Sequence, residues 1–149
     1  MINSKCVIEK KDSKIKVEQL GRKAVFRNAK KDKYSVVTFD GCVVVQSLAA
    51  DYIVTKLNVG SVIVELKGSD VEHGIGQIGA TVDYLAKEGG LCSKVKGALI
   101  VCSQYPRASS SFQVKLQKFV RAYQVPLHVS PRNMEYNFED LMRFDVRLK

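Results

Sequence analysis

The sequence contains no tryptophan and only three prolines. Because no stretch resembles a linker and no internal repeat is visible, we expect a single domain over 1–149. Apolar runs such as 98–102 fall far short of the roughly 20 residues that a membrane-spanning helix needs. Residues 1–16 alternate apolar and charged side chains and lack the apolar core and cleavage site of a secretory signal. We therefore expect a cytoplasmic protein with no membrane partner.

Cysteine is also scarce, and its spacing argues against a metal centre. The four cysteines form no CxxC pair and have no histidine nearby, unlike the ligands of a typical zinc site: Cys6, Cys42, Cys92 and Cys102. Three of the four lie in or beside apolar, strand-like runs. Because free cysteine is among the most buried residue types, we interpret these residues as reduced and mostly buried thiols.

Negative charge is in the minority, but it is concentrated in the middle of the chain. The net charge is +9, with eleven Lys and Arg against four Asp and Glu in 1–34, three against seven in 35–90, and ten against four in 91–149. An acidic centre between basic flanks is expected where metal-binding carboxylates lie beneath a surface that attracts phosphate. A solvated basic exterior without a polyanion partner gives the same pattern, so charge alone leaves both interpretations open.

The first third of the chain is rich in strand patterns. Residues 6–9 and 14–18 alternate apolar and polar side chains around the turn-like segment 11–13, which predicts a hairpin. Further strands are predicted at 23–27, 34–39 and 42–45, with a turn signal at Asp40-Gly41. The N-terminal part, 1–35, is therefore expected to be a β-rich extension.

The middle of the chain predicts a hairpin followed by a helix. Residues 52–56 and 61–66 are rich in β-branched side chains and flank a segment with Asn58 and Gly60, which predicts a tight hairpin. An apolar side chain then recurs every three or four positions, which predicts a helix that ends near Gly89: Val71, Ile75, Ile78, Val82 and Leu85.

The end of the chain predicts a strand, a helix and a last strand. The wholly apolar run 98–102 predicts a central strand that is covered on both faces. The serines at 109–111 can cap a helix, and 126–129 predicts a final short strand. The apolar side of that helix would hold Phe112, Leu116, Phe119, Val120 and Tyr123. The expected fold class is α+β, with a mixed sheet flanked by helices.

The predicted hairpin carries residues with catalytic potential. Because side chains alternate across a strand, Glu65 and Lys67 share one face while Leu66 points to the other. A hairpin that folds about Asn58 places Asp51 opposite Glu65. Two neighbouring carboxylates repel unless a cation joins them, and Mg²⁺ binds one or two carboxylates together with phosphate oxygens. With Lys67 to stabilise charge, such a site can hydrolyse a phosphodiester bond.

These residues resemble those of a known nuclease family. The segments 51–54 (DYIV) and 62–68 (VIVELKG), followed by Gln77 on a helix, resemble the PD-(D/E)xK or restriction-endonuclease-like superfamily, in particular its small RecB-like members. The resemblance covers about residues 36–105. It implies a nuclease core over 36–130, Mg²⁺ or Mn²⁺ as the cofactor, DNA as the partner and the possibility of a homodimer. It also implies metal binding by Asp51 and Glu65, and catalytic roles for Lys67 and Gln77.

The sequence departs from the family pattern in places. Ala50 stands where the motif has Pro, and no N-terminal helix with an acidic ligand is visible. Asp40 is the candidate substitute, although an Asp-Gly pair is also typical of a turn. On the helix, a polar flank includes two further candidates and a threonine where RecB-like members have a tyrosine: His73, Gln77, Thr81 and Tyr84.

Other patterns leave alternatives open. Gly74, Gly76 and Gly79 spell GxGxxG, but they lie too far from the preceding strand for a dinucleotide site. Candidate phosphate contacts near predicted strand ends are Lys94, Lys96, Arg107, Lys115 and Arg132. A surface salt bridge, worth at most about 1 kcal/mol, is the simplest alternative for Glu65 and Lys67. The leading hypothesis is a metal-dependent nuclease that acts on DNA, with endonuclease and exonuclease action both open. The alternatives are an inactive nucleic-acid-binding module and a protein-interaction module.

Overall fold

The structure is a computed structural model that describes residues 4–88, 94–104, 110–131, 133–146 and 148. Its helices are α1 (Val71–Glu88) and α2 (Ser110–Tyr123), with short 3₁₀ helices at Ser4–Cys6 and Phe138–Met142. Its strands are β1 (Val7–Lys10), β2 (Lys14–Gln19), β3 (Arg22–Arg27), β4 (Tyr34–Thr38), β5 (Tyr52–Lys56), β6 (Gly60–Leu66), β7 (Val95–Val101), β8 (Leu127–Ser130) and β9 (Glu135–Tyr136).

The strands form two sheets. The larger sheet has six strands in the order β1-β4-β5-β6-β7-β8, and the smaller has three in the order β2-β3-β9. In the larger sheet β1, β4, β5 and β6 pair antiparallel, while β6, β7 and β8 pair parallel. The described chain is thus a mixed α and β fold with two sheets and two α-helices, which confirms the predicted α+β class.

The larger sheet lies between the helices and the smaller sheet. One cluster of buried side chains packs α1 and α2 on one face of the larger sheet, and it includes Ile53, Ile63 and Ile100. A second cluster packs the smaller sheet and the 3₁₀ helix Phe138–Met142 on the other face, and it includes Phe26 and Leu99. Because neighbours on β7 belong to different clusters, the run 98–101 is apolar throughout and buried, as predicted.

The predicted β5–β6 hairpin is confirmed, and so is its register. Tyr52 pairs with Val64 and Val54 with Val62, and the turn between the strands places Asn58 at a φ of +65°. Asparagine tolerates this left-handed conformation better than most residues. The helix predicted from Val71 onward is also confirmed, and it is described as far as Glu88. Its expected end near Gly89 lies outside the described residues.

The predicted hairpin about 11–13 is wrong. β1 pairs with β4, and β2 pairs with β3, so the two strands on either side of 11–13 belong to different sheets. The true hairpin turns at Leu20 and Gly21, which have φ values of +52° and +80°. A tight hairpin turn favours positive φ at both central residues, which usually requires Asn, Asp or Gly. Leu20 gives no such signal, whereas the polar segment 11–13 does.

The strand predicted at 42–45 is wrong as well. The carbonyl oxygen of Phe39 accepts hydrogen bonds from the backbone N–H groups of Cys42, Val43 and Val44, so the chain curls into a turn. Gly41 has a φ of +80°, which makes this curl possible without strain. Three consecutive valines favour a strand, but the local hydrogen bonds override that preference here.

The interpretation of all cysteines as reduced thiols is wrong for two of them. Cys6, just before β1, and Cys42, in the turn after β4, form a disulfide with a Cα–Cα distance of 5.7 Å. Cys102 is free and buried, as expected, and Cys92 lies outside the described residues. The paired strands β1 and β4 bring Cys6 and Cys42 together, although they are far apart in sequence. In the described part of the chain, no helix is long and apolar enough to cross a bilayer.

Candidate active site

Asp51 and Glu65 face each other at one end of the β5–β6 hairpin. The backbone N–H of Asp51 donates to Glu65 Oε1 over 3.1 Å, and the backbone N–H of Leu66 donates to Asp51 Oδ2 over 2.9 Å. Asp51 is 6% exposed and Glu65 2% exposed. The predicted juxtaposition of these two residues is therefore present, because the register of the hairpin continues past Tyr52.

Lys67 completes the group from the end of β6. Its Nζ lies 3.9 Å from Glu65 Oε2, and its side chain is 20% exposed. The backbone N–H of Lys67 donates to the carbonyl of Val101, which continues the pairing of β6 with β7 past the last residue of β6. Because the Glu65 side chain is buried, its contact with Lys67 is not the surface salt bridge that was the simplest alternative.

Burial makes the two carboxylates difficult to ionise together. Loss of solvent raises the pKa of Glu65 to about 8, and the charge of Asp51 adds to this rise while Lys67 opposes it. Burial also raises the pKa of Asp51, although the Leu66 N–H and Lys67 oppose that rise. Without a cation the pair therefore retains a proton near neutral pH. A bound divalent ion could replace this proton, because its positive charge would also reduce the repulsion between the two carboxylates.

The first turns of α1 lie directly against these residues. A Cβ atom added to Gly74 would lie 3.6 Å from Glu65 Cγ and 3.7 Å from Lys67 Cγ. A Cβ added to Gly79 would lie 3.3 Å from the hydroxyl oxygen of Tyr123 on α2, whereas Gly76 borders open space. Two of the three glycines of the GxGxxG pattern thus lie at close approaches of α1 to its neighbours.

Comparison with known proteins gives no relative for this arrangement. No family model, no curated protein and no solved structure matches the chain. We therefore infer the function of this arrangement from the geometry and chemistry of its residues.

Two α1 side chains hold the backbone that precedes Asp51. Gln77 Nε2 donates to the carbonyl of Ala49 over 3.1 Å, and Thr81 Oγ1 accepts from the N–H of Ala50 over 2.8 Å. The Thr81 hydroxyl donates in turn to the carbonyl of Gln77, and it is fully buried. Gln77 Oε1 is buried and has no hydrogen-bond partner among the described residues. Gln77 thus contacts the backbone that precedes Asp51 in the sequence. Thr81 contacts the same segment, although it was not predicted as a site residue.

We expect Thr81→Val to destabilise the fold. The change leaves the buried N–H of Ala50 without an acceptor, which costs about 1–3 kcal/mol, while Thr81→Ser keeps the hydroxyl and costs less. Urea unfolding would measure both variants beside Thr38→Val, which makes the same change at an exposed position. Equal stability of the Val and Ser variants would contradict the importance of this hydrogen bond.

The three additional candidates lie in different environments. Asp40 lies in the turn after β4, as the Asp-Gly pair suggested, and its charge also raises the pKa of both Asp51 and Glu65. His73 is exposed on the first turn of α1. Tyr84 packs edge-on against Phe39, with ring centroids 5.3 Å apart. Tyr84 lies two helical turns beyond Gln77, about 10 Å along the axis, and its role in the site stays a prediction.

The candidate phosphate contacts also lie in different parts of the structure. Lys94 and Lys96 lie at the start of β7, and the N–H of Ser61 at the start of β6 donates to the carbonyl of Lys94. They therefore lie at the opposite end of the sheet from Glu65. Lys115 Nζ lies 3.4 Å from Glu72 Oε1, which joins α2 to the first turn of α1. Arg107 and Arg132 lie outside the described residues.

A divalent ion fits the donor set, although the protein supplies few ligands. Within the described ranges, no group of three or more His, Cys, Asp or Glu side chains is placed to hold a metal ion. Mg²⁺ in phosphate-processing sites commonly uses one or two carboxylates and takes its other ligands from water and substrate. Asp51 and Glu65 supply such a pair, and burial raises the pKa of both carboxyls by more than Lys67 lowers it.

Proposed function

We propose that this chain is a Mg²⁺- or Mn²⁺-dependent nuclease that hydrolyses phosphodiester bonds in DNA. The observation that carries the proposal is the buried, facing pair Asp51 and Glu65 with Lys67 beside it. If these buried charged residues had only a structural role, apolar residues of similar size in their place would make the fold more stable. Buried carboxylates with raised pKa values are more often found where charge has a function.

In this proposal each residue has a separate role. Asp51 and Glu65 would hold the metal ion, which when bound would supply an activated water and neutralise charge on the phosphate. Lys67 places its ammonium beside Glu65, where it stabilises negative charge on the scissile phosphate group. Gln77 and Thr81 fix the backbone at 49–50 and so orient Asp51.

The chain order supports a restriction-endonuclease-like fold for this proposal. From Asp51 onward the order is an antiparallel hairpin, a helix, a parallel strand, a second helix and a second parallel strand. The hairpin, α1 and β7 agree with the resemblance over residues 36–105, and the closing strand-helix-strand order also suits it. We propose the same core for this chain, with β2 and β3 as an addition on the face opposite the helices.

Metal binding is the most direct test. Purified chain, stripped with EDTA, would be titrated calorimetrically with MnCl₂ and MgCl₂ at a pH slightly above neutral. We expect the wild type to bind the ion and to cleave DNA only when the ion is present. Asp51→Asn and Glu65→Gln should each weaken binding at least about tenfold, because each removes a charged ligand.

Asp70→Asn is the matched control for these variants. Asp70 is an exposed carboxylate close to the site, and its Oδ1 accepts the backbone N–H of His73 at the start of α1. Asparagine caps a helix about as well, so the variant removes one charge and keeps the fold. Metal binding that is unchanged in Asp51→Asn and Glu65→Gln, or lost equally in Asp70→Asn, would overturn the proposed site.

An inactive nucleic-acid-binding module is the second candidate, and one observation favours it. The described residues before β4 contain no α-helix, so they offer no N-terminal helical acid as a further ligand. Such a module would bind DNA in EDTA and show no cleavage with either ion. A protein-interaction role stays a prediction, as does a homodimer.

The cytoplasmic location also stays a prediction. The Cys6–Cys42 disulfide is evidence against a cytoplasmic location, because such bonds are rare in the reducing cytosol.

A further inference from the structure

The end of the larger sheet opposite Glu65 carries a group of lysines. β4 begins at Tyr34, which pairs with Lys10 on β1 and Lys56 on β5. Asp51 pairs with Phe39, just past the other end of β4. The two ends are therefore separated by five residues of strand, or about 17 Å. The loops before Tyr34 and after Lys10 form a surface that is distinct from the candidate active site.

One buried side chain joins the two loops. Asn28 is 4% exposed, and its Nδ2 donates to the carbonyls of Asp12 and Asp32, while its Oδ1 accepts from the N–H of Asp32. Its own backbone N–H donates to the carbonyl of Ser13. The bond to Asp12 and the backbone bond to Ser13 join loop 28–33 to loop 11–13, while the two bonds with Asp32 close loop 28–33 on itself. These hydrogen bonds fix the two loops relative to each other.

Two pairs of consecutive lysines lie here, one at the end of β1 and the start of loop 11–13 and the other in loop 28–33. We call them the lysine surface: Lys10, Lys11, Lys30 and Lys31. None of the four has an ion-pair partner in the part of the chain that the structure describes, and all but the half-buried Lys10 are exposed. Two nearby carboxylates are instead held by other lysines. Glu9 pairs with Lys33 at 3.0 Å, and Asp32 pairs with Lys56 at 3.5 Å.

We propose that the lysine surface binds the phosphate backbone of a double-stranded nucleic acid without regard to sequence. Lysine ammonium groups are common contacts of backbone phosphates, whereas lysine is depleted at protein–protein interfaces. Neither loop 11–13 nor loop 28–33 contains an aromatic residue on which an unpaired base could stack, which favours a duplex over a single strand. This inference depends on charge and loop geometry, and it holds whether or not Asp51 and Glu65 bind a metal ion.

Binding of a labelled duplex in EDTA tests the proposal apart from cleavage. The four lysines would be replaced together by glutamine, and fluorescence anisotropy would follow binding over a series of KCl concentrations. We expect affinity to fall at least about tenfold near 0.1 M salt, and the slope of log K against log salt to fall by about 3. The fourfold Lys→Arg variant keeps the charges and should keep the slope.

A charge-matched control separates this surface from the net charge of the whole chain. It replaces four exposed cations elsewhere by glutamine: Lys23, Lys87, Lys118 and Arg121. We expect this control to keep most of the wild-type affinity and slope. Equal losses in both fourfold variants, no duplex binding by the wild type, or tighter binding of an acidic polypeptide than of the duplex would each overturn the proposal.

Discussion

Lys67→Met should lower the rate of metal-dependent DNA cleavage by at least about 100-fold, the loss typical of removing one group that stabilises transition-state charge. The methionine keeps most of the length of the side chain and removes only its charge. Because Asp51 and Glu65 remain, the variant should still bind Mn²⁺ in the calorimeter. This separation of cleavage from metal binding distinguishes a catalytic lysine from one that only neutralises Glu65.

The control for this variant is Lys87→Met, which makes the same change at an exposed position on α1. It should cleave DNA at the wild-type rate. Lys67→Arg keeps a positive charge on a bulkier, planar group, so we expect an intermediate rate. Full activity in Lys67→Met would show that this residue does not take part in the reaction.

Glu65→Gln should stabilise the metal-free protein at alkaline pH and have little effect in acid. In the folded chain the pKa of Glu65 is about 8, against an ordinary value of 4.5. The contribution of this carboxyl to stability is therefore complete below about pH 4.5, and it is lost as the pH rises through 8. Glutamine has no charge to bury, so the variant avoids that loss.

The expected size of this effect follows from the same linkage. Above about pH 8.5 the variant should be more stable than the wild type by several kcal/mol, which corresponds to a rise in Tm on the order of 10 °C. Thermal unfolding in EDTA near pH 5 and near pH 9 would measure it, with Glu88→Gln as a control at an exposed position. A difference between variant and wild type that does not change with pH would contradict the buried, uncompensated carboxylate.

The candidate site could be predicted because its geometry is local. Asn58 fixes the turn of one hairpin, and the alternation of side chains then decides which residues share a face. Asp51, Glu65 and Lys67 follow from these two facts alone. The helix α1 follows from its apolar period, which is also a property of neighbouring residues.

Features that depend on distant parts of the chain were missed. The pairing of β1 with β4 joins residues that are 24 to 30 positions apart in the sequence. The polar segment 11–13 was interpreted as a hairpin turn because its composition resembles one. The contact of Thr81 with Ala50 spans 31 residues, and no local pattern predicts it. The Cys6–Cys42 bond likewise depends on a strand pairing that was assigned incorrectly.

That covalent link also restricts the unfolded chain. It closes a loop with a sequence separation of 36, which contains β1, the β2–β3 hairpin and β4. On the chain-entropy account, such a closure removes about 4 kcal/mol of conformational freedom from the denatured ensemble. The turn that carries Asp40 is therefore fastened to the edge of the sheet in the oxidised protein, and a reducing compartment would release it.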